Sequence, residues 1–194
     1  MMSRILPFAI LSVIVGSILA LDAASANAQQ QEPQPMVKVL IVSGEDYQGH
    51  RWEETGPALR TLLNEDERIQ ARLVEDFNFL ATDAIFGYDV IVLHFKNYQP
   101  ADDPEKVYAN LRRFVDGQGG GLVLTHFACG AFQEWPEFVE LAGRVWNPKL
   151  RGHDPYGGFT VEPAAESHPV TERVAAFAVT DELYTCTEGR PEIE

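Results

Sequence analysis

The sequence predicts a three-layer, doubly wound α/β domain built on a mainly parallel sheet. Two observations carry this. Short runs rich in β-branched residues and apolar on both faces recur at residues 37–43, 89–94 and 121–125. That is the pattern of strands buried between two layers of helix. Amphipathic segments separate the runs, which is the order of βαβ units. The composition agrees: 45% of the 194 residues are hydrophobic and 23% charged, as in a packed globular domain rather than a disordered tract.

Residues 37–43 (VKVLIVS) form the first predicted strand, closed by Gly44. Residues 52–64 follow with Leu59, Leu62 and Leu63 on one helical face. Pro57 sits early in that segment and places the start of regular helix near itself. Residues 69–74 are the second strand and 89–94 (DVIVLH) the third. Residues 104–116 read as an amphipathic helix with Val107, Leu111, Phe114 and Val115 as its buried stripe. Asp103 is its predicted N-cap and Pro104 its first helical residue. The glycines of 117–121 end this helix and turn the chain into the fourth strand, 121–125 (GLVLT). Residues 132–142 are predicted helical. The remainder is loop with short strands at 158–162 and 177–179.

Ahead of the domain lies an export leader. Arg4 supplies a positive start, residues 5–21 are apolar apart from Ser12, Gly16 and Ser17, and Ala26-Asn27-Ala28 is an A-x-A cleavage site. The organisation is therefore leader (1–28), polar linker (29–36, beginning QQQEPQP) and domain (37–194). The mature protein is expected in the periplasm or outside the cell, with no membrane span after cleavage. Fifteen basic against 29 acidic residues give a net charge of −14. A surface of that sign repels phosphate backbones and anionic lipid, so nucleic acid is an excluded partner. Small molecules and metal ions stay open as ligands. Two cysteines are too few for a disulfide scaffold.

The five histidines carry the functional signal. His50 follows the first strand, His94 ends the third and His126 ends the fourth. In a flavodoxin-like strand order, 2-1-3-4-5, these strands are neighbours and their carboxyl ends form one ligand-binding rim. His153 lies in a long loop, 146–158, able to fold over that rim. Proton transfer, metal binding and sugar binding are the chemistries such a cluster serves. For a divalent metal, His126 and His153 are the candidate ligands, with Glu45, Asp46 and Asp154 as further oxygen donors. No HxH, HExxH or CxxC motif supports that reading. Cys129, just past the fourth strand, is a candidate nucleophile. Phe127 is a poor fit there, because a strained nucleophile turn wants small neighbours. Asp181-Glu182-Leu183-Tyr184 follows a predicted strand and offers carboxylates and an aromatic ring.

Taken in order, these pieces resemble the ThuA-like domain family, named for trehalose utilisation, among the class I glutamine amidotransferase-like folds. The resemblance runs through residues 39–44 with His50 and Trp52, Tyr88 to Val92, Phe114-Val115, and Gly119-Gly120-Gly121 leading to His126. It continues through Trp135 with Phe138, His153, His168-Pro169-Val170-Thr171 and Asp181 to Tyr184. It implies an exported carbohydrate-handling protein of undefined reaction. His126, His50 and Glu182 become the acid–base candidates, and Trp52, His153, Trp135 and Tyr184 the candidate sugar contacts. In the family a further strand and a late histidine normally follow, so the chain reads as C-terminally shortened. In amidotransferase relatives a cysteine occupies the turn after the fourth strand. His126 stands at about that position here, so the resemblance implies the fold and not glutamine hydrolysis. The alternatives are a non-catalytic sugar-binding or interaction module and a Cys129-dependent amidase.

Overall fold

The computed structural model describes residues 35–45, 49–164 and 168–189. The predicted leader, most of the predicted linker and Asp46 lie outside the described residues.

Four parallel strands, β1 (Val37–Val42), β2 (Ile69–Val74), β3 (Val90–Leu93) and β4 (Gly121–Leu124), pair in the order β2-β1-β3-β4. These are the four strands expected, in the order that brings β1, β3 and β4 side by side. Alternate residues feed two cores because a strand presents successive side chains to opposite faces. On one face Leu40, Val42, Ile91 and Leu93 pack with Leu80, Ile85, Phe95, Leu111 and Phe114. On the other Val39, Ile41, Ala71 and Val92 pack beneath Leu59 and Leu63 of the first helix, α1 (Trp52–Leu63). β4 departs from the expectation of burial on both faces. Val123 pairs with Val92 and so shares the α1 face, yet it is 47% exposed, because among the described residues the cover on that face lies over β1 and β2. The outer edge of β2 is closed locally. The Asn64 side chain accepts from the Ala71 N–H (2.7 Å) and donates to the Ala71 carbonyl (3.2 Å), which blocks strand addition there.

Helix α1 begins at Trp52, ahead of the start predicted near Pro57. Proline in a helix frees the carbonyl four residues back, here that of Glu53, which is exposed and accessible to water. Helix α2 (Pro104–Arg112) has the predicted cap: the Asp103 carboxylate accepts from the Lys106 N–H at 3.1 Å. A wider π turn, Arg113–Gly117, carries it to the predicted end and buries Phe114. Two 3-10 turns, Phe77–Ala81 and Asp83–Gly87, bridge β2 to β3 where no element was predicted. The expected helix over 132–142 is only α3 (Phe138–Ala142). Phe132 has φ +53, and Pro136 disfavours helical geometry at Trp135, so the first half stays in turns.

The C-terminal part forms three small antiparallel ladders. β5 (Arg144–Val145), β6 (Gly152–His153) and β7 (Gly157–Val161) pair respectively with β10 (Glu188–Gly189), β9 (Tyr184–Cys186) and β8 (Phe177–Asp181). The returning segment thus runs back along the outgoing one, partner by partner in reverse order. That arrangement delivers Asp181, Glu182 and Tyr184 beside His153. Among the described residues no helix is long and apolar enough to cross a membrane.

Candidate functional site

Parallel strands put their carboxyl ends on one rim, and a catalytic or binding cleft forms there. β1 leads through Ser43 and Gly44 towards His50. β3 leads into His94 and β4 into Thr125 and His126. His126 opens the 3-10 turn His126–Gly130 with φ +41. A side chain with positive φ carries strain of about 1 kcal/mol or more, the kind of local cost that accumulates at functional sites. The turn aims Phe127 under His50, whose ring stacks on it at 4.1 Å and 8°. The His126 ring meets His50 edge-on at 4.8 Å and Tyr184 at 5.1 Å.

The C-terminal segment closes over this rim with acid. His126 Nε2 lies 3.8 Å from Asp181 Oδ1 and 3.9 Å from Glu182 Oε2. The other oxygen of Glu182 lies 3.9 Å from His153 Nε2. One carboxylate therefore stands between two imidazoles, close enough for ionic attraction and too far for direct hydrogen bonds. A substrate hydroxyl or a water fits such gaps. The groups are half-buried, His126 at 29% and Glu182 at 32% side-chain exposure, so their charges are partly shielded from solvent. His153 is oriented by Nδ1, which lies 2.8 Å from the Asp154 carbonyl oxygen. Nδ1 therefore carries its proton there and leaves Nε2 towards Glu182.

The cleft has two lobes with a common wall. The larger, about 460 Å³, is lined by Arg51, Thr55, Thr125, His126, Tyr156 and Asp181 among others. The smaller, about 110 Å³, is lined by Lys96, Cys129, Gly130, Trp146, His153 and Tyr184. His50, Phe127 and Glu182 line both. Burial, then the neighbouring His126, pushes the His50 pKa down from its ordinary 6.5; Glu182 and Asp181 oppose this more weakly. His50 is therefore neutral at pH 7 and able to accept a proton.

His94 is a buried support, 6% exposed. The Ser43 hydroxyl donates to the His94 carbonyl (3.0 Å), so its oxygen accepts from Nδ1–H (2.9 Å). The other ring nitrogen, Nε2, lies 3.2 Å from Thr55 Oγ1, whose hydroxyl donates to the Arg51 carbonyl at 3.1 Å. Burial lowers the His94 pKa too. The sign follows from linkage. Both histidines take up protons more readily unfolded than folded, so their contribution is complete above pH 6.5 and is lost as the pH falls towards the folded values. The expected result is a urea midpoint that falls between pH 7.5 and 5.5. In His94→Gln, which keeps polar partners for Ser43 and Thr55 but does not titrate, the fall is shallower. An unchanged slope in that variant would show that His94 is not the titrating group.

The structure brings together His126, His50, Glu182, His153 and Tyr184 of the predicted site. It separates two residues from it. Trp135 is 6% exposed, stacks on Tyr108 at 4.4 Å and packs against Phe132 and Phe138, so it belongs to the core. Trp52 lines neither lobe. It opens α1, and its indole N–H is buried without a partner among the described residues. Burial, the largest influence on Cys129, pushes its thiol pKa up, and Lys96 nearby opposes this more weakly. Among the described residues no group of three or more His, Cys, Asp or Glu is arranged to hold a metal ion. Asp154 is engaged by Arg151 at 2.7 Å. Sequence reasoning missed Phe127 as a platform and Lys96 as a wall. The first had a signal, an aromatic ring directly after His126. A single lysine has none.

No curated protein matches the chain significantly. Two solved structures share its fold. One, from Parabacteroides merdae ATCC 43184, is described as ThuA-like; it is 20% identical with a TM-score of 0.63, over 79% of this chain and 64% of that one. The other, from Bacteroides uniformis ATCC 8492 and also described as ThuA-like, is 22% identical with a TM-score of 0.61, over 79% and 62%. The chain thus spans less than two thirds of the length of either. At such identities the likeness shows the α/β fold alone. The sequence profile of the ThuA family, trehalose utilisation, matches residues 38–194, and the chain belongs to that family.

Proposed function

We propose that the protein is an exported enzyme that moves protons on a bound carbohydrate. The observation that carries this reading is the Glu182 carboxylate, 3.9 Å from both His126 Nε2 and His153 Nε2 at the rim of the parallel sheet. Proton transfer at a sugar oxygen is common to hydrolysis and isomerisation, and both need a donor and an acceptor within one bound substrate's reach. His126 and Glu182 supply that pair, and neutral His50 a second base. The larger lobe suits a polyol: it mixes hydroxyl, guanidinium, imidazole and carboxylate groups with the stacked Phe127 and His50 rings and the exposed Tyr156.

The test is calorimetric titration with trehalose and a panel of mono- and disaccharides, with products followed by NMR. At least one sugar is expected to bind saturably and be turned over. Glu182→Gln is expected to lower turnover by about 10²–10⁴-fold, the usual contribution of a positioned acid or base. Saturable binding without product makes the protein a sugar-binding module, and no binding across the panel removes the carbohydrate reading. Export is a separate part of the proposal and rests on the leader pattern. Expression of the full chain in a bacterium should yield a mature protein beginning at Gln29 outside the cytoplasm. Retention of Met1 in the cytoplasm would refute it.

A further inference from the structure

We propose that the smaller lobe is an anion subsite: Lys96 there takes a carboxylate carried by the sugar in the larger lobe, making the substrate an acidic sugar. This rests on the carbohydrate reading above and names its substrate class.

Lys96 lies just beyond β3, on the same rim as His94. Its stem runs close over Gly130, where an added Cβ would stand 3.2 Å from Lys96 Cδ. Its ammonium sits 4.6 Å from the centre of the Trp146 ring and 5.4 Å from that of Tyr98. The aromatic faces hold the cation in place and satisfy part of its charge. Acidic residues outnumber basic ones in this chain by 29 to 15. Even so, among the described residues the ion pairs within 4 Å include none to Lys96. Glu182 lines the same lobe, but its oxygens are directed at His126 and His153. A half-buried cation without a counter-ion is a receptor for one.

Size and charge narrow the anion. The lobe is about 110 Å³, roughly the share of three or four waters in the liquid. That admits a carboxylate and not a second sugar ring. One ammonium with one carboxylate nearby favours a monoanion over a phosphate dianion. The shared wall of His50, Phe127 and Glu182 then places the anion beside the proton-transfer groups.

The experiment uses the mature chain and three probes. First, acetate is titrated at constant ionic strength while the indole N–H signals are followed by NMR, assigned with Trp146→Phe. A saturable shift of the Trp146 signal is expected, lost in Lys96→Met, kept in Lys96→Arg, with the core Trp135 signal still. Second, glucose and glucuronate are compared by calorimetry. Glucuronate should bind about tenfold more tightly or better, the gain of one charge-assisted hydrogen bond, and Lys96→Met should erase that preference while sparing glucose. Third, inorganic phosphate is titrated, and is expected to bind more weakly than acetate. No saturable acetate shift, or one that survives in a folded Lys96→Met, overturns the subsite. So does tighter binding of phosphate. Acetate binding with glucuronate no tighter than glucose overturns the acidic-sugar assignment. The two readings fail separately: acetate bound with neither sugar bound removes the carbohydrate reading, whereas both sugars bound equally with no acetate effect removes the subsite.

Discussion

Gly44→Ala is expected to cost the domain about 4 kcal/mol or more, at the extreme of single substitutions. Two effects combine. Gly44 has φ +102, which side-chain-bearing residues rarely adopt, and a Cβ there would stand 1.9 Å from the Glu75 carbonyl oxygen. The backbone strain alone is about 1–3 kcal/mol. The rest comes from the overlap, because the obstacle is main chain and no side chain can swing aside. Gly44 follows β1 and Glu75 follows β2, so relief requires the carboxyl ends of two paired strands to separate. Two other glycines calibrate the result. Gly119→Ala, at φ +72 with open space around it, isolates the backbone cost, about 1 kcal/mol. Gly87→Ala, with nothing within 4 Å and no positive φ, should lie within about 0.5 kcal/mol of wild type. Urea midpoints of the three variants give the comparison. If Gly44→Ala costs no more than Gly119→Ala, the two strand ends do not approach as described. The consequence reaches the site, since this glycine begins the loop that carries His50.

What the sequence revealed followed from how continuous each physical signal is. β1, β3 and β4 were legible because their sequences are apolar on both faces, and runs such as VIVL carry that signal without interruption; β2 (IQARLV) instead alternates, with Ile69, Ala71 and Leu73 on one face. The Asp103 cap was legible because Asp-Pro at a helix start has few other uses. The helix expected over 132–142 failed at Pro136 and at Phe132, where local backbone geometry overrode an apolar stretch. β5, β6, β9 and β10 have two or three residues each, too few to show a period of two, so no pattern announced the reversed pairing. Yet that pairing completes the site. His126 and His50 could be placed by the rim rule alone, whereas bringing Glu182 to His153 depended on β6 meeting β9. Trp135 shows the opposite error: a tryptophan near a rim stacks on core aromatics as readily as on a ligand. Phe127 was misjudged for a related reason. It spoils a cysteine-type turn, and the turn here serves His126.

Under the proposed function, His126→Ala is expected to lower sugar turnover by about 10²–10⁴-fold, and a second measurement can show why. His50 and His126 face each other at 4.8 Å. The charge of His126 pushes the His50 pKa down, while those of Glu182 and Asp181 push it up. Two neighbouring substitutions should therefore move His50 in opposite directions. His126→Ala removes a repulsive neighbour and opens the cleft to water, so both of the leading causes weaken and the His50 pKa rises towards 6.5. Glu182→Gln removes an attraction while leaving burial in place, so the pKa falls further. Both shifts are readable from the His50 ring signals by NMR titration, without any substrate. A structural collapse in either variant would expose His50 and move it upward both times. Opposed shifts together with lost turnover identify one coupled proton-transfer group on His50, His126 and Glu182. No shift in either folded variant would mean that the rings are neighbours without sharing charge. The loss of turnover would then belong to sugar positioning, and would appear in KM more than in kcat.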